Sequence, residues 1–274
     1  MSYPLETAQT SNMETIIMVK RISQAVIAQY LLKQPFDFQE ARLKCLKSLN
    51  LSNVLANSNP YLLRIGPFMT PRERVGAALD AHLSMHEESL LGEVLKGLAI
   101  HLCQKAYGAH GKSSTEGIDL EFELDNVRYL VAIKSGPNWG NSAQIRKMQD
   151  NFKQAAKIYR QGANALRIEC VNGCCYGKQK RQNEDKGNYR KLCGQRFWEF
   201  ITGDSEIYTR IIEPIGEKAR ERNDEFRAKY ELAVDACTEE FRKRFCDASN
   251  TIQWQQLVEF ISAPKPDRNP RGGQ

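Results

Sequence analysis

Several things are missing from this 274-residue chain. No apolar run approaches the ~20 residues that cross a bilayer, so no spanning helix is expected. The N-terminus, MSYPLETAQTSNMET, has no basic start followed by an apolar stretch. No secretory signal is therefore read, and a cytoplasmic protein is expected. No segment repeats. The eight cysteines lack the paired CxxC elements of a usual zinc site. Cys170, Cys174 and Cys175 are spaced C-x3-C-C, and Cys193 stands alone. Without an export signal, free thiols are the plainer reading of that cluster and zinc the lesser one. A strong charge bias is also absent. The net charge is +6, which permits polyanion binding without requiring it.

What is present reads as a globular chain, 41% hydrophobic and 26% charged. Its length suits one large domain, or a core with helical additions. Residues 1–12 read as disordered, and 13–87 as an N-terminal helical region. Apolar spacing predicts helices over 13–34, ended by Pro35, and over 38–49. Asn-Ser-Asn-Pro at 57–60 reads as a loop. Thr70-Pro71-Arg72-Glu73 is a capping-box start for a helix to about His86. A separate helix is expected from 88 to 107. The core is placed at 88–203, a C-terminal helical region at 204–262, and a disordered tail at 263–274. Within the helical region, segments are expected over 206–212, 217–246 and 251–261.

The chain is organised around residues 116–144, EGIDLEFELDNVRYLVAIKSGPNWGNSAQ. Gly117 to Leu124 and Val127 to Lys134 read as two strands joined by a tight Asp125-Asn126 turn. A two-residue turn sets the register: Leu124 faces Val127, Glu123 faces Arg128, and Asp119 faces Ala132. Strand alternation puts Lys134 on the face of Ala132. Gly136 to Asn141 reads as a tight loop, with Ser142 or Asn141 capping a helix over 143–160 that Gly162 stops. A strand follows at 165–171. Strand, helix and strand with short joints imply a parallel pair. The expected class is α/β: a mixed central sheet flanked by helices, with extensive helical regions at both ends. From Gly173 to Gly194 the chain reads as a basic loop, with Lys178, Lys180, Arg181, Lys186, Arg190 and Lys191 against Glu184 and Asp185. It is either a solvated surface or a phosphate contact.

An acid on one strand facing an acid-x-Lys on the next is the arrangement of the PD-(D/E)XK nuclease core, and Asp119 facing Ala132-Ile133-Lys134 is similar to it. GID followed by IKSGPNWGNSAQ resembles type II restriction endonucleases of the PmeII-like family. The resemblance covers about residues 116–200. It implies Mg²⁺-dependent hydrolysis of both strands of a short palindromic duplex DNA site by a homodimer. Asp119, Ala132 and Lys134 fall on the catalytic positions. Asp119 and the backbone carbonyl of Ile133 fall on the metal-binding ones. Glu93, on the helix before the hairpin, either points towards the metal or is a solvated acid. Asn138, Asn141 and Gln144 can bond bases or phosphates, and Trp139 can pack on sugar or anchor the loop. Lys178, Lys180 and Arg181 are further candidates for DNA contact.

One residue departs from the pattern. The second acid should stand at 132, and an alanine side chain cannot hold a metal. Either an acid has been replaced there, or the Ala is natural and the acid comes from Glu93, Glu121 or Glu123. A DNA-binding protein that keeps the fold without the activity is the alternative, and a repair or recombination nuclease a third reading.

Overall fold

A computed structural model describes residues 22–33, 38–108, 111–161, 166–178, 184–220 and 223–264. The disordered start expected at 1–12, the first part of the helix expected over 13–34 with its stop at Pro35, all but Ala263 and Pro264 of the tail expected at 263–274, the helix stop at Gly162, and Lys180 and Arg181 lie outside them.

The sheet is centred on residues 127–134, where Val, Ile and Tyr concentrate. It contains β1 (Leu120–Leu124), β2 (Val127–Lys134), β3 (Arg167–Cys174) and β4 (Arg190–Cys193), in that spatial order. β1 and β2 are antiparallel; β2–β3 and β3–β4 are parallel. The crossover from β2 to β3 is helix α6 (Ser142–Arg160). β4 lies inside the segment read as a basic loop. Its four residues are too short for periodicity to reveal, and pairing with β3 supplies what propensity does not.

Two layers cover the sheet. Leu130 and Ala132 point to α6 and pack with Met148, Phe152 and Ala155. Val131, Ile133, Leu120 and Phe122 point the other way. On that side they meet α1 (Gln24–Lys33), the C-terminal half of α5 (Pro71–Tyr107) and α7 (Gln195–Thr202). The remaining helices are α2 (Phe38–Lys47), α3 (Leu51–Ala56), α4 (Pro60–Ile65), α8 (Ile207–Arg210), α9 (Ile212–Arg220), α10 (Asn223–Phe245) and α11 (Trp254–Ser262). α3, α4, α10, α11 and the first three turns of α5 enclose a further core around Leu51, Leu55, Leu79 and Phe241.

Helix α5 replaces the two helices expected over 70–86 and 88–107. Its start is as read: the Thr70 hydroxyl accepts from the Glu73 N–H, and Glu73 reaches back to the Thr70 N–H. The apolar stripe is interrupted at Met85-His86-Glu87-Glu88-Ser89, but no Gly or Pro stands there to end a helix. The interruption marks the passage from one core to the other. Leu79, Leu98 and Leu102 are fully buried on either side of it. Each contributes about 1.5–3 kcal/mol through burial. Other boundaries differ in smaller ways. Asn50 and Asn59 cap two short helices, α3 and α4, around the 57–60 loop. Where one charged helix is expected over 217–246, two are described, α9 and α10.

Candidate active site

The hairpin forms in the expected register, Leu124 with Val127 through Leu120 with Val131. Asp125 and Asn126 have φ of +50° and +60°. Both are in the left-handed region that a two-residue hairpin turn of this hand requires and that Asp and Asn tolerate.

β1 begins at Leu120 and not at Gly117, because Gly117 sits in a turn closed by the Ile118 N–H on the Thr115 carbonyl at 3.1 Å. Its φ is +75°, and a Cβ there would lie 1.8 Å from the Asn151 amide nitrogen. Only glycine fits. The turn leaves Asp119 at the strand end. Its N–H still bonds the Val131 carbonyl at 2.9 Å. Its carboxylate then takes over the ladder: Oδ2 accepts the Ile133 N–H at 2.7 Å. Backbone alternation turns the Ile133 carbonyl to the same edge, as it does that of Val131. Asp119, Ile133 and Lys134 are thus gathered at one open end of the hairpin.

The second half of the site comes from α5. Lys96 Nζ is 2.9 Å from Glu93 Oε1 and 3.7 Å from Asp119 Oδ1. Burial would lower the Lys96 pKa, but the two carboxylates outweigh it and raise it, so the ammonium stays charged. α5, β2 and the loop after it enclose a cleft of about 580 Å³, lined among others by Glu88, Glu93, Lys96, Lys134, Asn138 and Trp139. A larger, more apolar cavity of about 1020 Å³ borders α7 and α9; Lys178 lines it, and of the other DNA-contact candidates among the described residues none does.

Trp139 anchors the loop. Its Nε1–H donates to Asn172 Oδ1 at 3.1 Å, and the Lys134 ammonium lies 4.8 Å from its ring centroid. The ring therefore holds Lys134 by a cation–π contact. Asn172 is the buried partner that sequence reasoning missed. It stands beside Ala132 across the parallel β2–β3 ladder and donates to the Ala132 carbonyl at 3.2 Å. Lys191 Nζ holds the Pro137 carbonyl at 2.6 Å from β4. Gly136 lets the ring of Tyr176 approach to 2.4 Å of where a Cβ would be. Asn141 and Gln144 form the capping box of α6: Asn141 Oδ1 accepts the N–H groups of Ala143 and Gln144, and Gln144 Oε1 accepts that of Asn141. Their oxygens serve the helix end. Asn138 is exposed at the cleft.

The alternative acids separate. Glu121 accepts from Tyr159 Oη at 2.6 Å and from the Ser113 and Thr115 hydroxyls, on the α6 side. Glu123 is paired with Arg128 at 2.9 Å. Neither joins Asp119. Glu93, exposed, is linked to Asp119 only through Lys96, which pairs with both. Arg190 is likewise engaged, 3.6 Å from Glu169, so the basic segment has fewer cations to offer than its composition suggests.

The cysteines do not converge. Cys174 and Cys193 face each other across β3 and β4, while Cys170 packs on the α6 side and Cys175 in the opposite core. Among the described residues, no three ligating side chains gather for a metal ion. The shared hydrogen bond from Cys174 brings Cys193 down to about 7 and pushes Cys174 up.

A divalent ion of the Mg²⁺ kind asks for several oxygen ligands. Here the sheet offers one carboxylate, with one oxygen on a backbone N–H and the other facing an ammonium. Ala132 is buried among apolar side chains and offers nothing. The residues as they stand do not make a complete Mg²⁺ site.

The sequence profile of the type II restriction endonuclease EcoO109I family matches residues 25–223. The chain belongs to that family. No curated protein sequence matches the chain. The family match covers the sheet, α5 and the cleft together, so the hairpin, its helix and the loop after β2 belong to a restriction endonuclease scaffold. It speaks for a site-specific nuclease and for a DNA substrate, and leaves the PmeII-like assignment aside. Among the described residues no helix is long and apolar enough to cross a membrane.

Proposed function

We propose that this chain is one protomer of a homodimeric type II restriction endonuclease of the PD-(D/E)XK kind. It would cut both strands of duplex DNA at a short palindromic site with Mg²⁺, and Ala132 leaves it impaired. The observation that carries this reading is the open hairpin end. Asp119 caps the strand through the Ile133 N–H, and Lys134 emerges beside it over Trp139, inside a family match that spans the whole site. In this reading Asp119 and the Ile133 carbonyl are the metal-binding groups. Lys134 orients the attacking water and offsets charge developing on the scissile phosphate. Asn138, Lys178, Lys180 and Arg181 contact DNA; Trp139, Asn141 and Gln144 serve mainly to set the loop.

Two-fold protein symmetry suits a two-fold site. Support for a dimer comes from apolar side chains left outside: Leu62, Ile65, Met69 and Met85 are all more than half exposed along α4 and α5.

The test is cleavage of plasmid DNA in Mg²⁺ by the chain and by its Ala132→Glu variant. Discrete fragments from the variant, with little or no cutting by the chain itself, are the expected outcome. The burial of Ala132 among Ile118, Met148 and Phe152 favours a second reading, a DNA-binding protein without activity, because a carboxylate there must be desolvated. Intact binding with no cleavage from either protein would establish that reading. Digestion without discrete fragments would point to a repair or recombination nuclease.

A further inference from the structure

The middle of α5 carries a cation whose place no nuclease role explains. Lys96 is about one turn on from Glu93, so both side chains leave the same face of the helix. That face looks onto the end of β1. The ammonium sits between two carboxylates from different parts of the chain, one on its own helix and one on the sheet. Its side chain is 29% exposed and that of Asp119 is 24% exposed. Water screens this pair less than it would a surface pair. Lys134, by contrast, is directed onto the Trp139 ring. The two lysines of the cleft thus do different things.

We propose that Lys96 is a built-in counter-ion of Asp119, occupying by its charge the position a divalent cation would take and setting how readily such a cation enters. This rests on the nuclease reading of the Asp119 site and adds a residue to it. The physical reason is competition. Asp119 Oδ2 already accepts the Ile133 N–H, so Oδ1 is the freer oxygen for a cation, and Oδ1 is the one that faces Lys96. A divalent ion at Oδ1 must displace the ammonium or bear its repulsion. With alanine at 132 no second carboxylate on the sheet offsets that repulsion. Glu93 then has a second part: it draws the ammonium aside along α5, and is the acid into whose company Lys96 can retreat.

The experiment is Mn²⁺ titration of the full chain without DNA. Free Mn²⁺ is read by its paramagnetic resonance signal, for the parent, Lys96→Gln and Lys96→Arg. Neutralising the lysine is expected to tighten Mn²⁺ binding on the order of tenfold, while the charge-keeping Arg variant stays near the parent. Adding Asp119→Asn to Lys96→Gln is expected to abolish the gain, which assigns it to this carboxylate and not to surface acids. Thermal melting supplies a second readout. Without metal, Lys96→Gln should melt below the parent, since Asp119 loses its partner, and millimolar Mn²⁺ should raise its Tm more than the parent's. Mn²⁺ binding by Lys96→Gln that is undetectable, or no tighter than the parent's, overturns the proposal. So does equal tightening by Lys96→Arg, which would make the effect one of shape and not of charge. The nuclease reading is judged separately, by cleavage with the Ala132→Glu variant in which Lys96 is untouched.

Discussion

At the scale of single residues, the site is held by a side chain that carries no charge. Asn172 is 1% exposed, and both ends of its amide are used, one by the Trp139 indole and one by the Ala132 carbonyl. Asn172→Ala leaves both partners buried without it. Urea unfolding is expected to show a loss of about 1–3 kcal/mol. A loss below about 0.5 kcal/mol would mean that water replaces the amide at no cost. The sequence placed Asp119 and Lys134 at one end of the hairpin because a two-residue turn makes register an arithmetic matter, and Asp125-Asn126 is such a turn. It did not show Asn172 or Lys96, whose importance depends on which strand and which helix face come alongside. It also placed Glu121 and Glu123 as spare acids. The hydroxyls of Tyr159, Ser113 and Thr115 claim Glu121 and the cross-strand Arg128 claims Glu123, and only packing reveals that.

At the scale of elements, α5 was legible in its capping box and in its two apolar stripes, but not in its continuity. A polar run between stripes reads as a break when the second core it separates is unknown. The helix carries interior glycines whose surroundings differ. A Cβ on Gly76 meets nothing within 4 Å, whereas one on Gly97 would lie 2.4 Å from Tyr30 Oη. Gly76→Ala is therefore expected to stabilise the protein by roughly 0.5–1 kcal/mol through helix propensity alone. Gly97→Ala gains the same propensity but must move Tyr30, which stacks on His101. Denaturation midpoints should rank Gly76→Ala above the parent and Gly97→Ala below Gly76→Ala. The reverse order would show that the Tyr30 contact yields freely. β4 teaches the same lesson in the other direction. Arg-Lys-Leu-Cys has little strand character of its own, and β3 makes it a strand by offering an edge.

At the scale of the whole molecule, three buried clusters divide the labour: two back the opposite faces of the sheet, and the third holds α3, α4, α10, α11 and the start of α5 together. If the exposed apolar side chains along α4 and α5 meet their copies, light scattering at micromolar concentration should give the mass of two 31.3-kDa chains. Substituting Ile65 and Met69 together by Lys should return it to one. A parent already running at the mass of one chain would count against the homodimer. Helix α5 spans 37 residues, a rod of about 55 Å. Its first turns are gripped by the helical core and its last by the sheet, with Glu93 and Lys96 between. The helix runs unbroken from one grip to the other. Whatever takes hold of its N-terminal end, a second protomer or a bent duplex, therefore has a handle on the distance between Lys96 and Asp119.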